Sequence, residues 1–117
     1  MTREGKIKRY KGWSGMLTAR SATYRPENAF EVKRVLSLGN ALPRGGGLSF
    51  GDAGLNDGGN IINVRSLVKP EDIKFDGKSG TLCCPAGVTQ KEILEIIGPE
   101  GWILSAIPVC SLHSFLF

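Results

Sequence analysis

A run of ten residues, Pro43 to Asp52 (Pro-Arg-Gly-Gly-Gly-Leu-Ser-Phe-Gly-Asp), limits what this chain can build more than any other stretch. Three consecutive glycines, Gly45, Gly46 and Gly47, open backbone angles closed to other residues and let a ligand touch the main chain. Successive peptide N–H groups there can converge on one oxygen, as in the backbone nests that hold phosphates. Arg44 adds a fixed charge and Ser49 a hydroxyl donor, a set that suits a diphosphate. The same glycines also suit a plain flexible turn, and position separates the two readings. A helical segment and the apolar pair Ala41-Leu42 lead in, and strand-like residues follow, so the run joins packed elements rather than serving as a linker. Spacing excludes two familiar phosphate loops: Gly-x-x-x-x-Gly-Lys-Ser/Thr is absent, and no Gly-x-Gly-x-x-Gly opens a helix after a strand.

At 117 residues the chain is one domain at most, long enough for a core but short of a two-domain redox enzyme. Its longest apolar runs fall far below the ~20 residues a membrane-spanning helix needs. The basic N-terminus, Met1 to Tyr10, lacks the apolar core of a secretory signal, which points to a cytoplasmic protein. Part of the net charge of +4 comes from Arg3, Lys6, Lys8, Arg9 and Lys11, a cluster able to meet a polyanion. Only Tyr10 and Trp13 stand there as stacking platforms, so nucleic acid is the weaker partner. Cys83, Cys84 and Cys110 form no C-x-x-C pair and no even-numbered disulfide framework, and on a strand Cys83 and Cys84 point to opposite faces. With His113 the sole histidine, neither a metal site nor a histidine-based triad is expected.

In chain order, Gly12-Trp13-Ser14-Gly15 sets an aromatic between glycines and predicts a core anchor for the basic arm. Pro26 biases Arg25 to an extended form and so ends a strand. Asn28 and Glu31 have capping-box spacing, and Val32, Val35 and Leu36 recur at helical intervals, which predicts a helix over 29–38 stopped by Gly39. Asn60 to Val64 reads as a strand. Ile73 to Asp76 and Thr81 to Cys84, around the turn Gly77 to Gly80, predict an antiparallel hairpin. Thr89 with Glu92 repeats the capping box, Val88 stands in staple position to Ile93, and Gly98-Pro99 ends that helix. Gly101 to Leu104 reads as a buried strand. The whole predicts an α+β domain, short helices packed on a small mixed β-sheet.

The ordered set resembles the N-terminal part of the FAD-binding domain in the vanillyl-alcohol oxidase / p-cresol methylhydroxylase family, nearest to aldonolactone oxidases and decaprenylphosphoryl-ribose oxidases. Gly12-Trp13, the helix from Pro26 to Leu38, the loop from Arg44 to Asp52, Ala86-Gly87-Val88, Pro99-Glu-Gly-Trp102 and Ile107-Pro108 carry the likeness, over roughly residues 12 to 108. It implies that Arg44, Gly45, Gly46, Gly47, Leu48, Ser49, Phe50 and Gly51 bind the FAD diphosphate largely through the backbone, with Asp52 and Asn56 completing the loop. Some branches attach flavin through a histidine at the place of Leu48, and a leucine offers no nucleophile, so FAD would be held non-covalently. Arginine at that place in the ribose oxidases sets Leu48 apart from them.

The likeness divides the chain into a basic arm over 1–15, a partial FAD-binding domain over 16–108 and an unmatched tail over 109–117. After Pro108 the family continues with a Gly-Thr turn and a second glycine-rich stretch, and Val109 to Phe117 resembles neither. A truncated or frame-shifted reading of a longer flavoenzyme is therefore the expectation. The implied function is an FAD-binding module of an oxidoreductase acting on an alcohol or sugar-like CH–OH group, with no catalytic base in this chain. The alternatives are a small non-catalytic domain that binds an anion or nucleic acid, and a product with no function.

Overall fold

The computed structural model describes residues 5–49 and 51–106. Phe50, Ile107, Pro108, Cys110, His113 and the 109–117 tail lie outside the described residues. The architecture is α+β. Strands β1 (Lys6–Lys11), β2 (Thr18–Tyr24), β4 (Asn60–Asn63) and β3 (Ala41–Arg44) form a mixed sheet in the order β1-β2-β4-β3. The β1–β2 pair is antiparallel, whereas β4 runs parallel to both β2 and β3. Helix α1 (Ala29–Ser37) makes the crossover from β2 to β3. Strand β3 lies at the sheet edge, where Pro43 does not deprive a neighbour of a ladder donor.

Helix α1 starts where the spacing predicts: the Asn28 Oδ1 accepts the Glu31 N–H at 2.9 Å. The Glu31 carboxylate reaches one residue further back than in a standard box and accepts from the Glu27 N–H at 2.6 Å. Its inner side meets the sheet through Val35, which packs with Ile62 and Val64 and, around them, Tyr24, Val32, Ala41 and Leu67. Strand alternation then puts Ser21, Thr23, Ile61, Leu42 and Arg44 on the opposite face. Ile61 is fully buried and Ile62 nearly so, as a central strand covered on both sides requires.

A second core follows. Two 3-10 turns, Val64–Leu67 and Pro70–Asp72, lead into the hairpin of β5 (Lys74–Asp76) and β6 (Thr81–Cys83), against which α2 (Gln90–Ile97) packs. Thr89 and Glu92 form the reciprocal capping box. Val88 clusters with Ile93 and Ile97, the contact a hydrophobic staple makes. Cys84 turns into this cluster while Cys83 is exposed, and burial pushes the Cys84 thiol pKa up. The two cores meet where a Cβ on Gly87 would stand 2.2 Å from the Val64 carbonyl oxygen. Arg65 locks the junction, donating to the Gly87 carbonyl at 2.7 Å and to both Glu92 carboxylate oxygens at 2.9 and 2.8 Å.

Three expectations differ from what is observed. The basic segment is not a separate arm over its described length, because Lys6–Lys11 pairs with Thr18–Thr23 of β2. Trp13 does not anchor in a core: it sits in the β1–β2 turn and is 59% exposed. No strand forms over 101–104. Trp102 instead lies against the hairpin, edge-on to Phe75 and donating its Nε1–H to the Gly77 carbonyl at 2.9 Å, and Ile103 is 73% exposed.

Gly87→Ala forces backbone apart at the junction and should lower stability by about 1–3 kcal/mol in urea titration. The Arg65 hydrogen bonds hold the Glu92 carboxyl below its ordinary pKa. A depressed carboxylate stabilises the fold above its unfolded pKa and loses that contribution as pH falls through the folded one. The urea midpoint should therefore drop below about pH 4, and Glu92→Gln should flatten that drop.

Candidate functional site

Because β3 and β4 are parallel neighbours, the chain leaving Arg44 must return to the other end of the sheet before Asn60 begins. That return is the glycine-rich segment, and it crosses the sheet face that α1 leaves uncovered. Its far end is pinned by main-chain and side-chain bonds. Ser21 donates its hydroxyl to the Asn56 carbonyl, and the Gly58 N–H donates to the Arg20 carbonyl at 2.9 Å. The Asn56 amide donates to the carbonyls of Asn40 at 2.8 Å and Asn60 at 3.0 Å. Asn56 thus ties the return to the starts of β3 and β4, well removed from the glycine triplet in sequence.

The near end is organised around the Arg44 side chain. Its Nη1 donates to the Gly54 carbonyl at 2.5 Å and its Nη2 to the Lys11 carbonyl at 3.3 Å. The guanidinium carbon stands 4.7 Å from the centre of the Tyr10 ring, within cation–π range. Tyr10 is in turn bonded through its hydroxyl to the Thr23 hydroxyl. Gly47 has φ +72°, and a Cβ there would lie 2.4 Å from Arg44 Nη2, so any side chain at this position is strained and displaces the guanidinium. The Leu55 N–H closes the last turn on the Asp52 carbonyl at 2.9 Å.

Two features of this loop bear on chemistry. Among the described residues no carboxylate pairs with Arg44, although burial lowers its pKa from the ordinary value, Tyr10 opposing the shift. A guanidinium carries five N–H donors and stays protonated, so three donors remain beyond the two carbonyl bonds. In addition, no main-chain acceptor among the described residues takes the N–H of Gly45, Gly47 or Ser49. A half-buried cation with no counter-charge among the described residues, beside peptide donors with no main-chain acceptor among them, is an electropositive surface of the kind anions complete.

The predicted site residues therefore separate. Arg44 ends β3, Gly45, Gly46 and Gly47 bend away from it with Leu48 and Ser49 following as irregular chain, Gly51 and Asp52 begin a turn, and Asn56 serves the return. Phe50 lies outside the described residues. Sequence reasoning missed Tyr10, Lys11 and Gly54, which position Arg44. Tyr10 carries a usable signal, being the one aromatic residue within the basic strand.

No protein-family model matches the chain, and no curated protein matches it. No group of three or more His, Cys, Asp or Glu side chains among the described residues is placed to hold a metal ion. No helix among them is long and apolar enough to cross a membrane.

Arg44→Met keeps the aliphatic stem but removes two charged hydrogen bonds and the ring contact. It should cost about 2 kcal/mol and speed amide hydrogen exchange over 45–54 while leaving α2 protected.

Proposed function

We propose that this chain is an FAD-binding module of a flavin-dependent oxidoreductase, and that the loop from Arg44 to Asp52 holds the cofactor's diphosphate. The observation that supports the reading most is the Arg44 guanidinium, with no carboxylate partner among the described residues, next to the N–H groups of Gly45, Gly47 and Ser49, which have no main-chain acceptor among them. The residues fit the group. A diphosphate needs several convergent donors and a permanent positive charge, and at Gly47 the absent side chain lets the Arg44 guanidinium lie directly against the main chain of the loop. The loop also leaves the carboxyl end of a parallel strand, the usual side for ligands in open sheets with helical crossovers.

In this reading Gly45 to Ser49 bind through the backbone, with Gly51 and Asp52 shaping the following turn. Arg44 acts on the phosphates mainly as a field source, since two of its donors are committed to carbonyls. Leu48 leaves the flavin unattached. When bound, FAD would supply the two-electron acceptor for oxidation of an alcohol or sugar-like CH–OH carbon; the chain's own part is to grip and orient the diphosphate end.

Equilibrium dialysis against FAD and riboflavin tests this. Charged hydrogen bonds are worth about 1.5–3 kcal/mol, so FAD should bind on the order of 10- to 100-fold tighter than riboflavin, which lacks phosphate. Gly46→Val, which crowds the triplet, should remove most of that difference. Equal retention of the two flavins would contradict the proposal.

A further inference from the structure

The β1–β2 ribbon carries a separate pattern. From Gly5 to Pro26 there are six basic residues, Lys6, Lys8, Arg9, Lys11, Arg20 and Arg25, and no acidic one. Arg9 and Arg20 stand directly opposite each other in the ladder, an arrangement that repels. Neither has an ion-pair partner among the described residues. The ribbon's turn is equally one-sided in its apolar content: Trp13 is 59%, Met16 87% and Leu17 47% exposed. The turn is held in shape while presenting these side chains, with the Gly12 N–H on the Leu17 carbonyl at 2.8 Å and the Gly15 N–H on the Gly12 carbonyl at 2.9 Å.

A bulky apolar tip on a stem with no acidic residue is poorly suited to water and well suited to one kind of surface. At about 3.3 Å per residue, Lys11, Arg9, Lys8 and Arg20 trail the turn by roughly 3–13 Å, within reach of the headgroup layer above an inserted tip. Tryptophan favours that boundary, and basic residues near it are drawn to anionic headgroups. A nucleic acid would engage the charges but give Met16 and Leu17 no partner. We infer that the ribbon is a docking hairpin for an anionic lipid surface, with Trp13, Met16 and Leu17 entering the interface and Lys8, Arg9, Lys11 and Arg20 meeting the lipid phosphates. The docking is independent of the diphosphate reading, because it uses none of the residues from Gly45 to Ser49.

The test uses the full chain carrying Trp102→Phe, which leaves Trp13 as the only tryptophan. It is mixed with vesicles of phosphatidylcholine, with or without about one-third phosphatidylglycerol. Sedimentation with the anionic vesicles alone, together with a blue shift of Trp13 emission, is the expected result. Met16→Ser with Leu17→Ser should abolish the shift, and Lys8→Gln with Lys11→Gln should weaken partitioning on the order of tenfold or more. Circular dichroism of each variant checks that it is folded. Equal binding to neutral vesicles, sedimentation without a Trp13 shift, or no binding at all overturns the inference. So does tight binding to a single-stranded oligonucleotide that is indifferent to the Met16 and Leu17 changes.

Discussion

The contact on which the rest of this molecule depends is the Arg44 guanidinium held between two main-chain carbonyls and the Tyr10 ring. Parallel pairing of β3 with β4 obliges the chain to travel the length of the sheet without a helix on that side. A segment so rich in glycine has high conformational entropy to lose and little side chain to bury in exchange. Arg44 answers that deficit by fastening the connection at Gly54 and the ribbon at Lys11 through a single side chain. Asn56 does the corresponding work at the far end through Asn40 and Asn60. Between these two clasps the N–H groups of Gly45, Gly47 and Ser49 meet no main-chain acceptor among the described residues, which is how a structural solution and a binding surface come to share one loop.

The sheet is therefore covered by two unlike layers. On one face α1 buries Val35 against Ile62 and Val64 by apolar packing. On the other, polar bonds from Ser21, Arg44 and Asn56 hold a loop in place. Apolar packing is non-directional and tolerates adjustment, whereas a hydrogen-bonded loop holds its donors in fixed directions. The second core, built on α2 and the β5–β6 hairpin, reaches the first through Gly87 and the bidentate Arg65–Glu92 pair, at the turn that follows β4.

Much of this was legible in the residues. Both helices announce themselves through short-range chemistry, Asn28 before Glu31 and Thr89 before Glu92, and the hairpin through alternation around Gly77 to Gly80. Elements set by distant partners were not legible. Strand β3 is four residues long and contains a proline, and only its pairing with β4 makes it a strand. Strand β1 reads as a solvated basic arm because its partner β2 is mixed in character. Trp102 reads as strand because its aromatic and branched neighbours favour sheets, yet no strand edge is offered to it and the hairpin takes it by its ring. For the site, the composition of the loop is visible in sequence. The use of Arg44 as a clasp is not, because it depends on carbonyls 10 and 33 residues away.

The most direct measurement is a nitrogen-15 amide correlation spectrum of the labelled chain titrated with ADP, which carries the diphosphate without the isoalloxazine ring. The account predicts saturable shifts of the Gly45, Gly47 and Ser49 amides and of the Arg44 Nε–H, with α2 unmoved. Shifts confined to Lys6 through Lys11, with the glycine amides silent, would contradict it.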